Sequence, residues 1–378
     1  MALRIDGGRV LLDGGLAEAS LTLDAGLVTA VDGAPASRRL DASGLLVLPG
    51  IVDLHGDAFE RQLQPRPGVG FDPALALADT QAQLLANGVT TAFHAVTLSW
   101  EPGLRSPAAW RALLDALASR SWACDMRVHM RWELHNLDAL DMALSDVAAG
   151  RVHLVSFNDH TPSILRKLDT TGGAAKYSER AMMSVAEFRA LAERAMAHDA
   201  AVPAATARLA AAARTAGLPM ASHDDDTIAT RERFRVLGAH ICEFPMAEDV
   251  GIEARGAGEA VVMGCPNVVR GGSHLGWASA ASLSERGVCS VLVSDYFYPA
   301  MAQAALRLAA GPLGMAAAWA LVSGNPAAAG GLQDRGRIAP GMRADLVLLE
   351  PASGAVVATL VAGEVAHITR DGWARVVA

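Results

Sequence analysis

Leu48-Pro49-Gly50-Ile51-Val52-Asp53-Leu54-His55-Gly56-Asp57 reads as a buried strand that delivers two metal-binding side chains at its end. Pro49 and Gly50 mark where it begins, and Ile51, Val52 and Leu54 supply the apolar run. Side chains alternate between the two faces of a strand, so His55 and Asp57 point the same way with the small Gly56 between them. An imidazole and a carboxylate then converge on one point. A lone His-x-Asp is also an ordinary loop sequence, so the reading depends on partners from elsewhere in the chain.

Outward from this stretch, strand-like runs alternate with helical ones, the pattern of parallel βα units. The strand candidates are 46–54, 89–96, 126–133, 152–158, 219–222, 239–244, 259–264 and 290–294, with helices at 74–87, 107–119, 180–199, 201–215 and 299–310 among the connections. Eight parallel strands predict a (β/α)8 TIM barrel with its active site at the carboxyl ends of the strands. The connection from about 161 to 218 is too long for an ordinary loop. Its helical periodicity at Ser184-Val185-Ala186-Glu187-Phe188-Arg189-Ala190-Leu191 predicts a helical excursion over the barrel mouth.

Both ends of the chain have a different texture. Short runs broken by glycine and aspartate, such as Arg9-Val10-Leu11-Leu12 and Leu27-Val28-Thr29-Ala30-Val31, predict a small antiparallel β unit. Ala344-Asp345-Leu346-Val347-Leu348-Leu349 and Ala355-Val356-Val357-Ala358-Thr359-Leu360-Val361 repeat that texture. The expected organisation is a small β-sandwich domain from 1–48 and 337–378, with the barrel at 49–336 inserted between them.

Composition excludes several classes. With 378 residues, 52% of them hydrophobic, the chain has enough apolar material for one large core and a smaller appended domain. A net charge of −8 argues against a nucleic-acid or anionic-membrane binder, which would present a basic stripe. No apolar run is long enough to span a bilayer and the first residues lack a signal-peptide core, so a cytoplasmic location is expected. Cys124, Cys242, Cys265 and Cys289 are far apart and read as small buried hydrophobes.

Other strand ends carry ligand chemistry as well. In 126–133 the residues His129, Arg131 and Glu133 share one face, with Glu133 at the exit and His129 and Arg131 deeper, where a structural role is expected. Strand 152–158 runs out into Asp159-His160, strand 219–222 into His223-Asp224-Asp225-Asp226, and strand 290–294 directly into Asp295. One cluster therefore draws His55, Asp57, Glu133, His160, His223 and Asp295 from five strand ends, and a metal site follows. At least one of the three consecutive aspartates reads as a helix cap or an acceptor behind the ligands.

The order His-x-Asp, Glu, His, His, Asp along a barrel with a split β domain resembles the amidohydrolase superfamily. The ending Gly336-Arg337-Ile338-Ala339-Pro340-Gly341-Met342-Arg343-Ala344-Asp345-Leu346-Val347 resembles its return from barrel to small domain. Within it, Pro65-Arg66-Pro67-Gly68-Val69, Asp159-His160-Thr161-Pro162, Ser222-His223-Asp224-Asp225, Glu243-Phe244-Pro245 and Asn267-Val268-Val269-Arg270-Gly271-Gly272-Ser273-His274 are similar to the diphosphatases of the carbon–phosphorus lyase pathway. That resemblance covers essentially the whole chain. It implies pyrophosphate release from a phosphorylated ribosyl compound, α-D-ribose 1-methylphosphonate 5-triphosphate. One stretch departs from it: His55-Gly56-Asp57-Ala58-Phe59-Glu60 stands where that family has a threonine and then Asp-Asn-Leu-Glu.

The residues suit this chemistry apart from the resemblance. Many relatives bridge two metals with a modified lysine, but the two lysines, Lys167 and Lys176, lie in the long excursion, which leaves Glu133 as the bridging group. His55, Asp57 and Asp295 would hold one divalent ion and His160 and His223 the other; zinc is expected, with manganese and iron as alternatives. Such ions acidify water and polarise the bond under attack, and Asp295 is the expected catalytic proton carrier. Arg66, Arg270 and His274 are candidates for the substrate phosphates, with Gly271 and Gly272 aiming backbone amides and Asn267 orienting the substrate. Two other readings stand beside this one: a deaminase or deacylase cleaving a C–N bond at the same centre, and a catalytically silent scaffold. An alanine- and leucine-rich surface is compatible with a homodimer.

Overall fold

The computed structural model describes residues 2–33, 36–272 and 279–377. Its eight barrel strands are Ile51–Gly56, Val89–Leu98, Asp125–Glu133, Leu154–Asn158, Met220–His223, Ile241–Glu243, Ala260–Gly264 and Val291–Val293, each hydrogen-bonded in parallel to the next. The last strand returns to the first through a bridge between Gly56 and Asp295, where Asp295 N donates to His55 O and Asp57 N to Asp295 O, both at 2.9 Å. The barrel is thus closed at its carboxyl end by the same residues that were read as ligands.

The expected single strand over 46–54 is two strands in different sheets. Leu46–Pro49 runs antiparallel to Leu346–Leu349 in the terminal sheet, and Ile51–Gly56 begins the barrel. Gly50 is the joint, donating its N–H to Asp345 O. A Cβ there would lie 2.3 Å from Thr90 Oγ1, so only glycine lets the two sheets pass this closely. Both chain ends enter one nine-stranded sheet. It is mixed rather than antiparallel, because Leu3–Leu12 also pairs in parallel with Arg38–Asp41 and with Leu46–Pro49.

Helices fill the long connection: Thr161–Leu168, Thr171–Ala181, Val185–Met196 and Val202–Thr215. Ser184 and Glu187 form a reciprocal capping box that starts the third of these. Trp100, at the exit of the second barrel strand, donates to Thr161 Oγ1 at 2.8 Å, and Arg180 pairs with the neighbouring Glu101. The helices therefore lie against the loops at the carboxyl side of the barrel.

Strand Asp125–Glu133 alternates as expected. Val128, Met130 and Trp132 pack outward with Trp110 and Leu113 of the helix Pro107–Ala118, while His129 Nδ1 donates inside the barrel to Leu54 O at 3.0 Å. All four cysteines are buried.

His94 has a measurable consequence. It is buried against the edge of Phe59, and neither ring nitrogen has a hydrogen-bond partner. Burial lowers its pKa from 6.5 to about 4. A base with a depressed folded pKa contributes stability that is present above its unfolded pKa and lost as the pH falls through the folded one. Between pH 6.5 and 4, His94 alone is expected to cost ~3 kcal/mol. His94→Leu should flatten that part of the stability–pH curve in urea unfolding; an unchanged curve would assign the acid sensitivity to other groups.

Candidate metal centre

Three residues just past barrel strands, Asp224, Phe244 and Asp295, have φ of 58°, 51° and 54°. Such left-handed backbone is uncommon outside glycine and is unusual for a phenylalanine. Each of the three amides donates to a carbonyl of the neighbouring strand: Asp224 to Glu243, Phe244 to Val262, and Asp295 to His55. Their backbones are thereby pinned at the barrel mouth, and the preceding side chains are aimed with little freedom.

At the centre is Glu243, at the end of the sixth barrel strand and fully buried. Its Oε1 is 3.1 Å from His55 Nδ1 and its Oε2 is 3.3 Å from His223 Nδ1. The two imidazoles stack at 5.2 Å, and His129 meets His55 edge-on at 5.0 Å. Burial, reinforced by the Arg131 charge, drives the pKa of both His55 and His223 well below the usual histidine value, so both are neutral near pH 7. Neutral imidazole is the form that binds a metal. One carboxylate accepting from two Nδ1–H groups fixes both rings in one tautomer, with Nε2 carrying the lone pair.

Arg131 is also in this group, and it is 5% exposed. Its Nη2 is 3.0 Å from His223 Nε2, and its Nη1 is 3.7 Å from Asp57 Oδ2. An ion on His223 Nε2 would take the place of this donor. His160 continues the cluster, with Nδ1 3.5 Å from Glu133 Oε2 and Nε2 3.6 Å from Asp224 Oδ2. His223 Nε2 is likewise 3.6 Å from Asp224 Oδ1. Glu133 Oε1 accepts from Thr161 N at 3.1 Å and Oγ1 at 2.6 Å, which locks the carboxylate at the exit of the third strand.

Among the described residues, three groups are tight enough to share an ion: His55, His223 and Glu243; His160, His223 and Asp224; and Glu133, His135 and Asp159. His55, Glu133, His160 and His223 of the sequence-derived set fall in them. Asp57 and Asp295 stand at the same mouth, but outside these groups. Burial and then the Asp57 charge raise the Asp295 carboxyl to about 7, against the pull of Arg131. Asp57 is raised to about 6, by burial and then by Glu60. Closely spaced acids that resist ionisation are what a bound divalent cation relieves, so the donor set suits such an ion.

The set read from the sequence lacks Glu243, Asp224 and His135, which the structure brings into these groups. Of the three consecutive aspartates, Asp224 joins the cluster and the buried Asp225 accepts from Ser222 and Arg231, whereas the cap of the next helix is Thr227. The phosphate candidates are more scattered. Arg66 is exposed on a loop and Arg270 is exposed at the end of the helix Cys265–Arg270. Gly271 N and Gly272 N donate to Val268 O and Asn267 O in a Schellman closure of the helix Cys265–Arg270, so neither amide is available to a phosphate. Asn267 Oδ1 accepts from Ala280 N at 3.0 Å, which ties that helix to the start of the next. His274 lies outside the described residues.

A parallel (β/α)8 barrel with a second mixed sheet, and with histidines and carboxylates gathered at its mouth, is the architecture of a metal-dependent hydrolase class. The chain belongs to the amidohydrolase superfamily; residues 298–372 match the amidohydrolase family model. It is similar to α-D-ribose 1-methylphosphonate 5-triphosphate diphosphatase of Escherichia coli K12, 32% identical over 318 residues that cover 82% of this chain and 84% of that one. Solved structures share the fold. β-Aspartyl dipeptidase from Fervidobacterium islandicum AW-1 superposes with a TM-score of 0.65 at 14% identity, covering 97% of each chain. 5-Methylcytosine deaminase from Klebsiella pneumoniae gives 0.63 at 15%, covering 97% of this chain and 98% of that one. Among the described residues no helix is long and apolar enough to cross a membrane.

Proposed function

We propose that this chain hydrolyses α-D-ribose 1-methylphosphonate 5-triphosphate, or a closely related ribosyl triphosphate, and releases pyrophosphate. The observation that carries this reading is the likeness to the Escherichia coli diphosphatase over most of both chains. The buried Arg131 supports it, because a fixed guanidinium beside the ligands favours an anionic phosphoryl group over a neutral amide.

In this reading His55, Asp57, Glu133, His160, His223 and Asp295 hold two divalent ions, zinc or alternatively manganese or iron, and Glu243 orients His55 and His223 from behind. Bound there, the ions supply acidified water and polarise the phosphoryl oxygen. Asp295 takes a proton from the attacking water and passes it to the leaving pyrophosphate. Arg131 meets the charge that develops on the transferred group. Arg66, from an exposed loop, and Arg270, from the exposed end of the helix Cys265–Arg270, reach the outer phosphates.

The departure at Ala58-Phe59 falls on core positions. Ala58 and Phe59 are 8% and 2% exposed and pack into hydrophobic clusters, Phe59 with Leu63, Leu77 and Trp110. The test is 31P NMR of the metal-loaded protein with the ribosyl triphosphate. Pyrophosphate and the 5-monophosphate should appear together; stepwise release of inorganic phosphate, or no turnover of the triphosphate, would reject the assignment.

A further inference from the structure

The third carboxylate–imidazole group lies outside the His55–His223–Glu243 cluster, where the chain leaves the third barrel strand. His135 is 4% exposed, and its Nε2 is 3.1 Å from Asp199 Oδ1. That contact places a proton on Nε2. Nδ1 is buried without a hydrogen-bond partner, yet it faces Glu133 Oε1 at 3.8 Å and Asp159 Oδ1 at 3.7 Å. These separations are too long for N–H···O bonds. They match the spacing of neighbouring ligands around one ion, since two groups each ~2.1 Å from a tetrahedral centre stand ~3.4 Å apart. An imidazole whose far nitrogen is held by a carboxylate is also the arrangement that orients metal-bound histidines.

A cavity of about 230 Å³ adjoins His135 and is lined among others by Trp100, Asn136, Asp138, Arg194 and His198. Asn136 Nδ2 is buried there without a partner. The polar groups on its wall, His135 and Asn136 among them, can hold water beside the imidazole.

We propose that His135 Nδ1, Asp159 and Glu133 Oε1 hold a further divalent cation, separate from the ions of the barrel mouth, with Asp199 orienting the imidazole. It rests on the metal-centre reading only in sharing Glu133, whose Oε2 faces His160 while Oε1, which also accepts from Thr161 N and Oγ1, faces His135. Asp159 precedes the helical excursion and Asp199 follows the helix Val185–Met196. The ion would therefore clamp that helical layer to the barrel.

The test is zinc titration of the metal-stripped full chain, with zinc-edge anomalous diffraction of crystals grown in zinc. An anomalous peak ~2.1 Å from His135 Nδ1 is expected, together with one more bound zinc than in His135→Ala. Asp199 is 69% exposed, so Asp199→Asn tests the site without threatening the core; its affinity for that ion should fall about 10–100-fold. His160→Ala should lose a mouth ion and keep this peak. A peak at His135 with none at His55 or His223 would leave this inference standing and overturn the mouth reading. No peak at His135, or equal zinc content in wild type, His135→Ala and Asp199→Asn, would show the group to be an imidazolium held by carboxylates and would overturn the inference.

Discussion

Asp295→Asn is expected to lower the turnover of pyrophosphate release by about 10²–10⁴-fold, the range lost when a positioned proton carrier is removed, while the barrel stays folded. The structural contacts of Asp295 are made by its backbone, whose N–H and C=O close the first and last barrel strands. Asparagine tolerates the φ of 54° that this position imposes. What changes is the carboxyl at the barrel mouth, which can accept and return a proton where the amide of asparagine cannot. Circular dichroism and a thermal melt should match wild type while kcat collapses. A variant with more than a tenth of wild-type turnover would remove Asp295 from the proton path.

Glu243→Gln should weaken binding of the mouth ions about 10–100-fold, the usual loss when the group behind a metal-bound histidine is removed. The reason is arithmetic in lone pairs and protons. Glu243 accepts from two imidazoles, one on each oxygen, whereas a glutamine has one acceptor oxygen and presents N–H groups at the other. One of His55 and His223 must then turn over or lose its partner, and in a site this buried an unmatched polar group is costly. Competition with a chromophoric zinc chelator reads the affinity directly, and excess zinc should restore part of the activity. Unchanged affinity would mean that the pair is aligned by other contacts.

The barrel was legible because its strands are bounded by turn residues and separated by amphipathic helices, and period alone sorts those. The periodicity of Ser184–Leu191 announced the helix in the excursion for the same local reason. The joint at Gly50 was harder to see, since Leu46–Leu54 is one apolar run apart from Pro49, Gly50 and Asp53, and the change of sheet depends on how close Thr90 comes. Histidine-x-aspartate and the strand-end histidines stood out by chemistry. Glu243 did not, because Ala239-His240-Ile241-Cys242-Glu243-Phe244 has no clean polar–apolar alternation to show which way the carboxylate faces. His135 lies past the end of its strand, and the partner that gives it meaning, Asp199, is 64 residues away. The Gly271-Gly272 pair, read as aiming amides at phosphates, instead closes a helix, because its amides find the carbonyls of Val268 and Asn267.

The most direct test of the central claim is to strip the protein of metal, add zinc back in steps, and follow pyrophosphate release from ribosyl 1-methylphosphonate triphosphate at each step. Release should be absent from the stripped protein, rise as the barrel-mouth ions are filled, and stay absent in His223→Ala under the same titration. Equal release from stripped and reloaded protein, or full zinc occupancy of the mouth without pyrophosphate, would contradict a metal-dependent diphosphatase.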